Sequence, residues 1–104
     1  MLDENTRQRI DAAIRSGRVV LFMKGTRQFP QCGFSGRVVQ LLDASAVPYE
    51  TVNILEDPAL RAGLKEYSDW PTFPQLYIDG KLIGGCDIVT EMHQSGELQK
   101  LLAD

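Results

Sequence analysis

Apolar residues recur along this chain in two different rhythms. Ile10, Ala13 and Ile14 fall at helical spacing within Thr6 to Ser16, and Gly17 follows as a stop. Val19-Val20-Leu21-Phe22-Met23 is continuous and β-rich instead, the pattern of a central strand covered on both faces. Lys24 to Pro30 interrupts the pattern and reads as a loop. From Gly33 the helical spacing returns in Val38, Val39, Leu41, Leu42 and Ala46, ending before Pro48. Tyr49 to Ile54 predicts a second strand. Asp57-Pro58 then offers an N-cap and a proline at the first helical position, opening a helix to about Tyr67.

The strand–helix–strand order from Arg18 to Ile54 predicts two parallel strands joined by a right-handed crossover. The second half is built differently. Gln75 to Ile78 and Lys81 to Gly84 read as strands joined by the two-residue hairpin turn Asp79-Gly80. After Gly84-Gly85 a helical stretch carries Ile88, Val89 and Met92, and Leu98, Leu101 and Leu102 follow beyond Gly96. A βαβ half plus a ββα half predicts an α/β fold, a four-stranded mixed β-sheet with helices on both faces.

The length of 104 residues accommodates one domain, taken as residues 1–104. Such a chain can bury enough surface to fold without covalent staples, and two cysteines are too few for a disulfide framework. The formal charge of −3 weighs against nucleic acid as a partner. The longest apolar run, Val19 to Met23, is far too short to span a bilayer, so no membrane role is expected. The N-terminus is polar and lacks a signal-peptide stretch; the expectation is a cytoplasmic protein, although an already removed organelle presequence would leave the same sequence.

Cys32 lies in Gln31-Cys32-Gly33-Phe34-Ser35, where the second helical pattern begins. A sulfur there meets unpaired backbone N–H groups and the positive end of the helix dipole, and both favour the thiolate. A free thiol of pKa ~8.5 is only roughly 3% ionised at pH 7. Only the ionised form attacks disulfides or binds metal. Three residues on, where a dithiol oxidoreductase carries its second cysteine, stands Ser35. Lys24, at the end of the first strand, can fold its ammonium towards the sulfur through the loop, and Arg27 is a further candidate for positive potential nearby. Pro74 lacks an N–H and so belongs at the start of a strand. Gly84-Gly85 allows close backbone approach before a helix N-terminus suited to an anion. His93, the one histidine, reads as a surface or packing residue, and Trp70 as a residue that shapes its loop.

Together, Lys24-Gly25, Pro30-Gln31-Cys32-Gly33-Phe34-Ser35, Trp70-Pro71-Thr72-Phe73-Pro74-Gln75 and Gly84-Gly85-Cys86-Asp87 resemble the monothiol glutaredoxins that bear Cys-Gly-Phe-Ser. The likeness runs from Thr6 to Leu102 and implies the thioredoxin-like fold. It implies a cis bond before Pro74, turning the backbone of Phe73 towards the cysteine to pair with glutathione like an added strand. It further implies that Cys86 and Asp87 hold the γ-glutamyl end, and Lys24 and Arg61 the glycyl carboxylate. Cys86 could pair with Cys32 in a disulfide; the favoured reading is a small buried hydrophobe whose backbone meets glutathione.

Two functions follow from the resemblance. In the first, Cys32 and one glutathione from each of two protomers supply the four ligands of a [2Fe–2S] cluster. The protein would be a homodimer when cluster-bound and a monomer when apo, delivering its cargo to iron–sulfur apoproteins, often with a BolA-like partner. In the second, it is a monothiol oxidoreductase that resolves protein–glutathione mixed disulfides through Cys32. The longer loop before Cys32, Thr26 to Pro30, goes with weak oxidoreductase activity in the resembled family. The expectation is cluster carriage, with Cys32 as metal ligand and catalytic sulfur alike. A thioredoxin-fold binding module with no redox role is the third alternative, disfavoured by the pairing of Lys24 with Cys32.

Overall fold

The run Val19–Met23 forms strand β1, and its five residues are all buried. A central strand must be apolar on both faces. The computed structural model, which describes residues 2–103, shows what covers each. Val19, Leu21 and Met23 pack with Val38, Leu42, Val89 and Leu98 on one side. Val20 and Phe22 pack with Ile10, Ile14, Leu60 and Leu64 on the other. Each such side chain contributes roughly 1.5–3 kcal/mol on burial, which makes this strand the mechanical centre of the molecule.

The elements follow in the order α1 (Glu4–Ile14), β1, α2 (Gly33–Ser45), β2 (Glu50–Asn53), a 3₁₀ turn (Ile54–Glu56), α3 (Pro58–Ser68), β3 (Gln75–Ile78), β4 (Lys81–Gly84), α4 (Cys86–Ser95) and α5 (Glu97–Ala103). Strand order in the sheet is β2-β1-β3-β4. β1 and β2 are parallel, with Val20 opposite Glu50 and Met23 opposite Asn53. β3 runs antiparallel to β1, and β4 antiparallel to β3. The predicted mixed sheet with helices on both faces is therefore the observed one: α2, α4 and α5 on one face, α1 and α3 on the other.

Several boundaries differ from the sequence reading by one or two residues, two of them for a clear local reason. α1 starts at Glu4 rather than Thr6, because Asp3 accepts a hydrogen bond from the Thr6 N–H at 2.8 Å. The second strand stops at Asn53 rather than Ile54. Asn53 Oδ1 accepts from the Leu55 N–H, and Ile54 is buried inside a 3₁₀ turn. The Asp57-Pro58 start of α3 stands as read, with the Asp57 carboxylate accepting from the Leu60 N–H.

Candidate functional site

β1 delivers the chain to the site. At its end, Gly25 has φ +94°, and a Cβ there would lie 2.6 Å from both the Gln31 nitrogen and the Phe29 oxygen. Only glycine fits, so the loop folds back on itself. Gln31 N–H donates to the Lys24 carbonyl at 2.9 Å, and Gly25 N–H donates to Asn53 Oδ1 at 2.9 Å. These bonds return the chain to the end of β1, where Cys32 takes the N-cap position of α2.

Cys32 is extended, with φ −150° and ψ 135°, and no side chain caps the helix behind it. Its thiol is held below the ordinary thiol value, first by the backbone N–H of Ser35. The Phe34 N–H, the Lys24 charge and the Ser35 hydroxyl act in the same direction, against partial desolvation. All favour the anion, as the free N–H groups of a helix start should. Ser35 is fully buried, and its oxygen accepts from the Lys24 backbone N–H at 3.1 Å. The serine in the place of a second sulfur is a tie between β1 and α2.

Arg27 lies elsewhere than the sequence reading placed it. Its guanidinium meets Asp43 at 2.8 Å and sits 4.2 Å above the Tyr49 ring, while the Tyr49 hydroxyl donates to Asp43 at 2.7 Å. Opposite charge and an aromatic face outcompete the partly buried Cys32 sulfur for this flexible side chain. Of the two loop cations, Lys24 acts on Cys32 and Arg27 does not.

Cys32 opens onto a groove of about 580 Å³ that also takes in Lys24, Phe34 and Ile88. Trp70, Thr72, Phe73 and Pro74 line it, together with Gly85, Cys86 and Asp87 at the start of α4. The Phe73–Pro74 bond is cis, and β3 begins directly after it. Gln75, fully buried, braces this segment by donating from Nε2 to the carbonyls of Trp70 (3.1 Å) and Thr72 (3.3 Å). Gly84 has φ +150°, and a Cβ there would come within 2.9 Å of Ile88, so the turn into α4 also demands glycine. α4 starts on Gly85 without a side-chain cap, leaving its first N–H groups at the groove.

The structure thus brings Lys24, Cys32, Phe73, Cys86 and Asp87 to one groove. Arg61 lies on α3 outside that lining, half-buried, with Nε lacking a partner. Cys86 and Cys32 are both free, and the Cys86 sulfur lies 4.0 Å from the Thr90 hydroxyl oxygen. Trp70 shapes its loop as expected and also lines the groove, its Nε1 buried without a partner. His93 stays on α4 away from the groove. Among the described residues no group of three or more His, Cys, Asp or Glu is gathered for a metal, and no helix is long and apolar enough to cross a membrane. Sequence reasoning missed the bracing roles of Gln75 and Asn53; a glutamine leading an apolar strand was the available signal.

The glutaredoxin family model matches residues 19–83. Monothiol glutaredoxin-S7 of Oryza sativa subsp. japonica, a chloroplast protein, is 60% identical over 92% of this chain, which spans only 57% of that protein's length. A probable monothiol glutaredoxin 2 of Rickettsia typhi is 54% identical over 100% of this chain and 94% of its own. Monothiol glutaredoxin-5 of Lachancea kluyveri, a mitochondrial protein, is 53% identical over 99% of this chain and 74% of its own. Among solved structures, reduced apo GrxS14 from poplar is 60% identical with a TM-score of 0.82, covering 93% of this chain and 89% of its own. The holo form of glutaredoxin C1 from Populus tremula x tremuloides is 35% identical with a TM-score of 0.88, covering 97% and 89%. A buckwheat glutaredoxin–glutathione complex is 31% identical with a TM-score of 0.85, covering 96% and 89%.

Proposed function

The chain belongs to the glutaredoxin family, in its monothiol branch, and from that premise we propose that it holds glutathione beside Cys32 and carries a [2Fe–2S] cluster between two protomers. The carrying observation is an activated sulfur with no second sulfur to resolve it. Two N–H groups and Lys24 draw the Cys32 thiol below its ordinary value and so favour the anion, while Ser35 is buried and engaged. A thiolate of that kind stays available to coordinate.

The groove fits glutathione on size and charge. Its volume of about 580 Å³ lies within the range of small-ligand sites. Lys24 supplies a cation near Cys32, and Asp87 with the start of α4 adds a carboxylate and free N–H groups to the same groove. Glutathione carries a carboxylate at its glycyl end and an ammonium plus a carboxylate at its γ-glutamyl end. Phe73 offers backbone for strand-like pairing, Cys86 offers backbone N–H, and Arg61 extends the positive charge. The glutathione thiol then lies with the Cys32 thiolate as a pair of soft donors, and two protomers supply the four that the cargo needs. Phe34, 63% exposed beside the sulfur, gives the second protomer an apolar surface. Ligands borrowed from an exchangeable tripeptide suit release to apoproteins, with a BolA-like partner as an alternative second half.

The competing function uses the same residues. Cys32 would attack the glutathione sulfur of a glutathionylated protein, expelling the protein thiolate. A second glutathione thiolate would then attack the glutathionyl sulfur and leave with it as glutathione disulfide, restoring Cys32. Anaerobic reconstitution with iron, sulfide and glutathione separates the two. Cluster carriage gives a coloured dimer by visible absorption and size-exclusion chromatography, with slow glutathione-dependent disulfide turnover. Rapid turnover and a colourless monomer would reverse the assignment.

A further inference from the structure

Cys32 borders a second groove, which shares only that residue with the lining of the one assigned to glutathione. It measures about 630 Å³ and runs along the exposed side of α2, lined by Gln31, Cys32, Gly33, Arg37 and Gln40 among others. It is shallow and open, and apart from Cys32 and Arg37 its lining is proline, glycine and side-chain amides. Apart from the Cys32 sulfur, Arg37 is the only ionisable side chain in its lining. That guanidinium is exposed and has no ion-pair partner among the described residues, whereas Arg9, Arg18 and Arg27 are each paired to an aspartate.

The sequence around it is equally one-sided. From Ala12 to Leu42 the chain carries Arg15, Arg18, Lys24, Arg27 and Arg37 and not one Asp or Glu, although the whole molecule is at −3. The first carboxylate beyond the groove on α2 is Asp43, and Arg27 neutralises it. Arg15 and Arg18 lie at the other end of β1 and Arg27 is paired, so Lys24 and Arg37 are the cations left at Cys32, on a protein of net charge −3. A field of that form raises encounter rates with negatively charged partners and discourages positive ones.

We propose that this groove is the docking site for an acidic segment of the protein whose cysteine meets Cys32, with Arg37 as the residue that selects it. The inference rests on Cys32 being the working sulfur, as the functional reading has it, and adds the chemical class of the partner. Arg37 does not touch the reacting atoms. It acts on the approach: a glutamate or aspartate beside the partner's cysteine pairs with the guanidinium, while the amides of Gln31 and Gln40 accommodate the adjoining backbone.

Two peptides of equal length test this, each with one cysteine activated as its pyridyl disulfide, flanked by glutamates in one and by lysines in the other. The Cys32 thiolate attacks the peptide sulfur, the Cys32–peptide disulfide forms, and pyridinethione leaves and is read by its absorbance. Peptide mass mapping identifies the modified cysteine as Cys32 rather than Cys86. Dividing each rate by that with uncharged dithiodipyridine cancels changes in the thiolate itself. The wild-type protein should prefer the glutamate peptide by about tenfold at low salt, with the ratio shrinking as salt screens it. Arg37→Glu should abolish or reverse the ratio, Arg37→Lys should keep most of it, and Lys81→Glu, the same charge change at the exposed start of β4, should leave it standing. A wild-type ratio near one, an Arg37→Glu ratio like the wild type's, or an equal loss in Lys81→Glu overturns the proposal. Glutathione titration of the same wild-type sample judges the other groove separately. Glutathione binding with a flat peptide ratio sinks the docking inference alone. An Arg37-dependent ratio without glutathione binding supports it and sinks its neighbour.

Discussion

The four longer helices start in two different ways. α1 and α3, on one face of the sheet, begin on Asp3 and Asp57, whose carboxylates accept a helix N–H. α2 and α4, on the other face, begin on Cys32 and Gly85, and neither has a side-chain cap. A good cap stabilises a helix by about 1 kcal/mol. The chain secures that contribution at the two helices whose residues do not line the groove and forgoes it at the two that border it. The uncapped N–H groups are what a thiolate and an anionic ligand would otherwise lack. The difference teaches that the site was made by omission as much as by placing reactive groups.

The contrast is broken most severely at Cys32. Cys32→Ser should abolish the coloured dimer on reconstitution and, at a pH low enough to keep the wild-type thiol protonated, raise thermal stability by about 0.5–1 kcal/mol, because serine is a good N-cap. Circular-dichroism melting should show a gain of roughly 2–8 °C for a domain this size. A lower melting temperature would mean that α2 gains nothing from a cap.

Next comes Lys24→Ala. Losing one charge-assisted contact, worth roughly 1.5 kcal/mol, should weaken glutathione binding about tenfold by calorimetry. It should also move the Cys32 thiolate titration, followed by ultraviolet absorbance, upward towards the ordinary thiol value. The lowered thiol has a stability consequence of fixed sign. Its contribution is complete above the unfolded thiol pKa of about 8.5 and is lost as pH falls through the lower folded value. Urea midpoints in Lys24→Ala should therefore depend less on pH across that window than in the wild type.

Asp57→Ala should cost about 1 kcal/mol in urea unfolding, because α3 loses its cap. Its ion pair with Arg9 goes too, adding little since both side chains are partly exposed. Glutathione affinity should not change; a large loss there would join the two faces that the comparison separates. The smallest effect belongs to Arg27→Ala. An exposed ion pair and one cation–π contact together should cost less than about 1 kcal/mol and leave the Cys32 titration in place. A shifted midpoint would return Arg27 to the site.

The sequence displays what is local. The unbroken apolar run of β1, the Asp57-Pro58 start and the Asp79-Gly80 turn each depend on neighbours within a few residues. The turn forms with φ +52° and +78°, as a tight hairpin requires. Cys32 is legible for the same reason, since a helix start lies in its own flanking residues. Contacts between distant segments are not. Arg27 finds Asp43 and Tyr49 only after α2 and β2 have been laid beside the loop. Asn53 anchors Gly25 across the parallel pair. Asp3 was hidden in a polar stretch without apolar spacing, so its cap went unread. The Arg37 groove left a trace only as an absence, the missing carboxylates between Ala12 and Leu42.

The buried hydroxyl of Ser35 bears on how such a protein could change its chemistry. Replacing it with cysteine would add the missing sulfur in a single codon step. Thiols accept hydrogen bonds poorly, so the Lys24 N–H now bonded to that oxygen would lose its acceptor, at a penalty of about 1–3 kcal/mol. A second sulfur at this position would therefore come at the cost of a resettled end of β1.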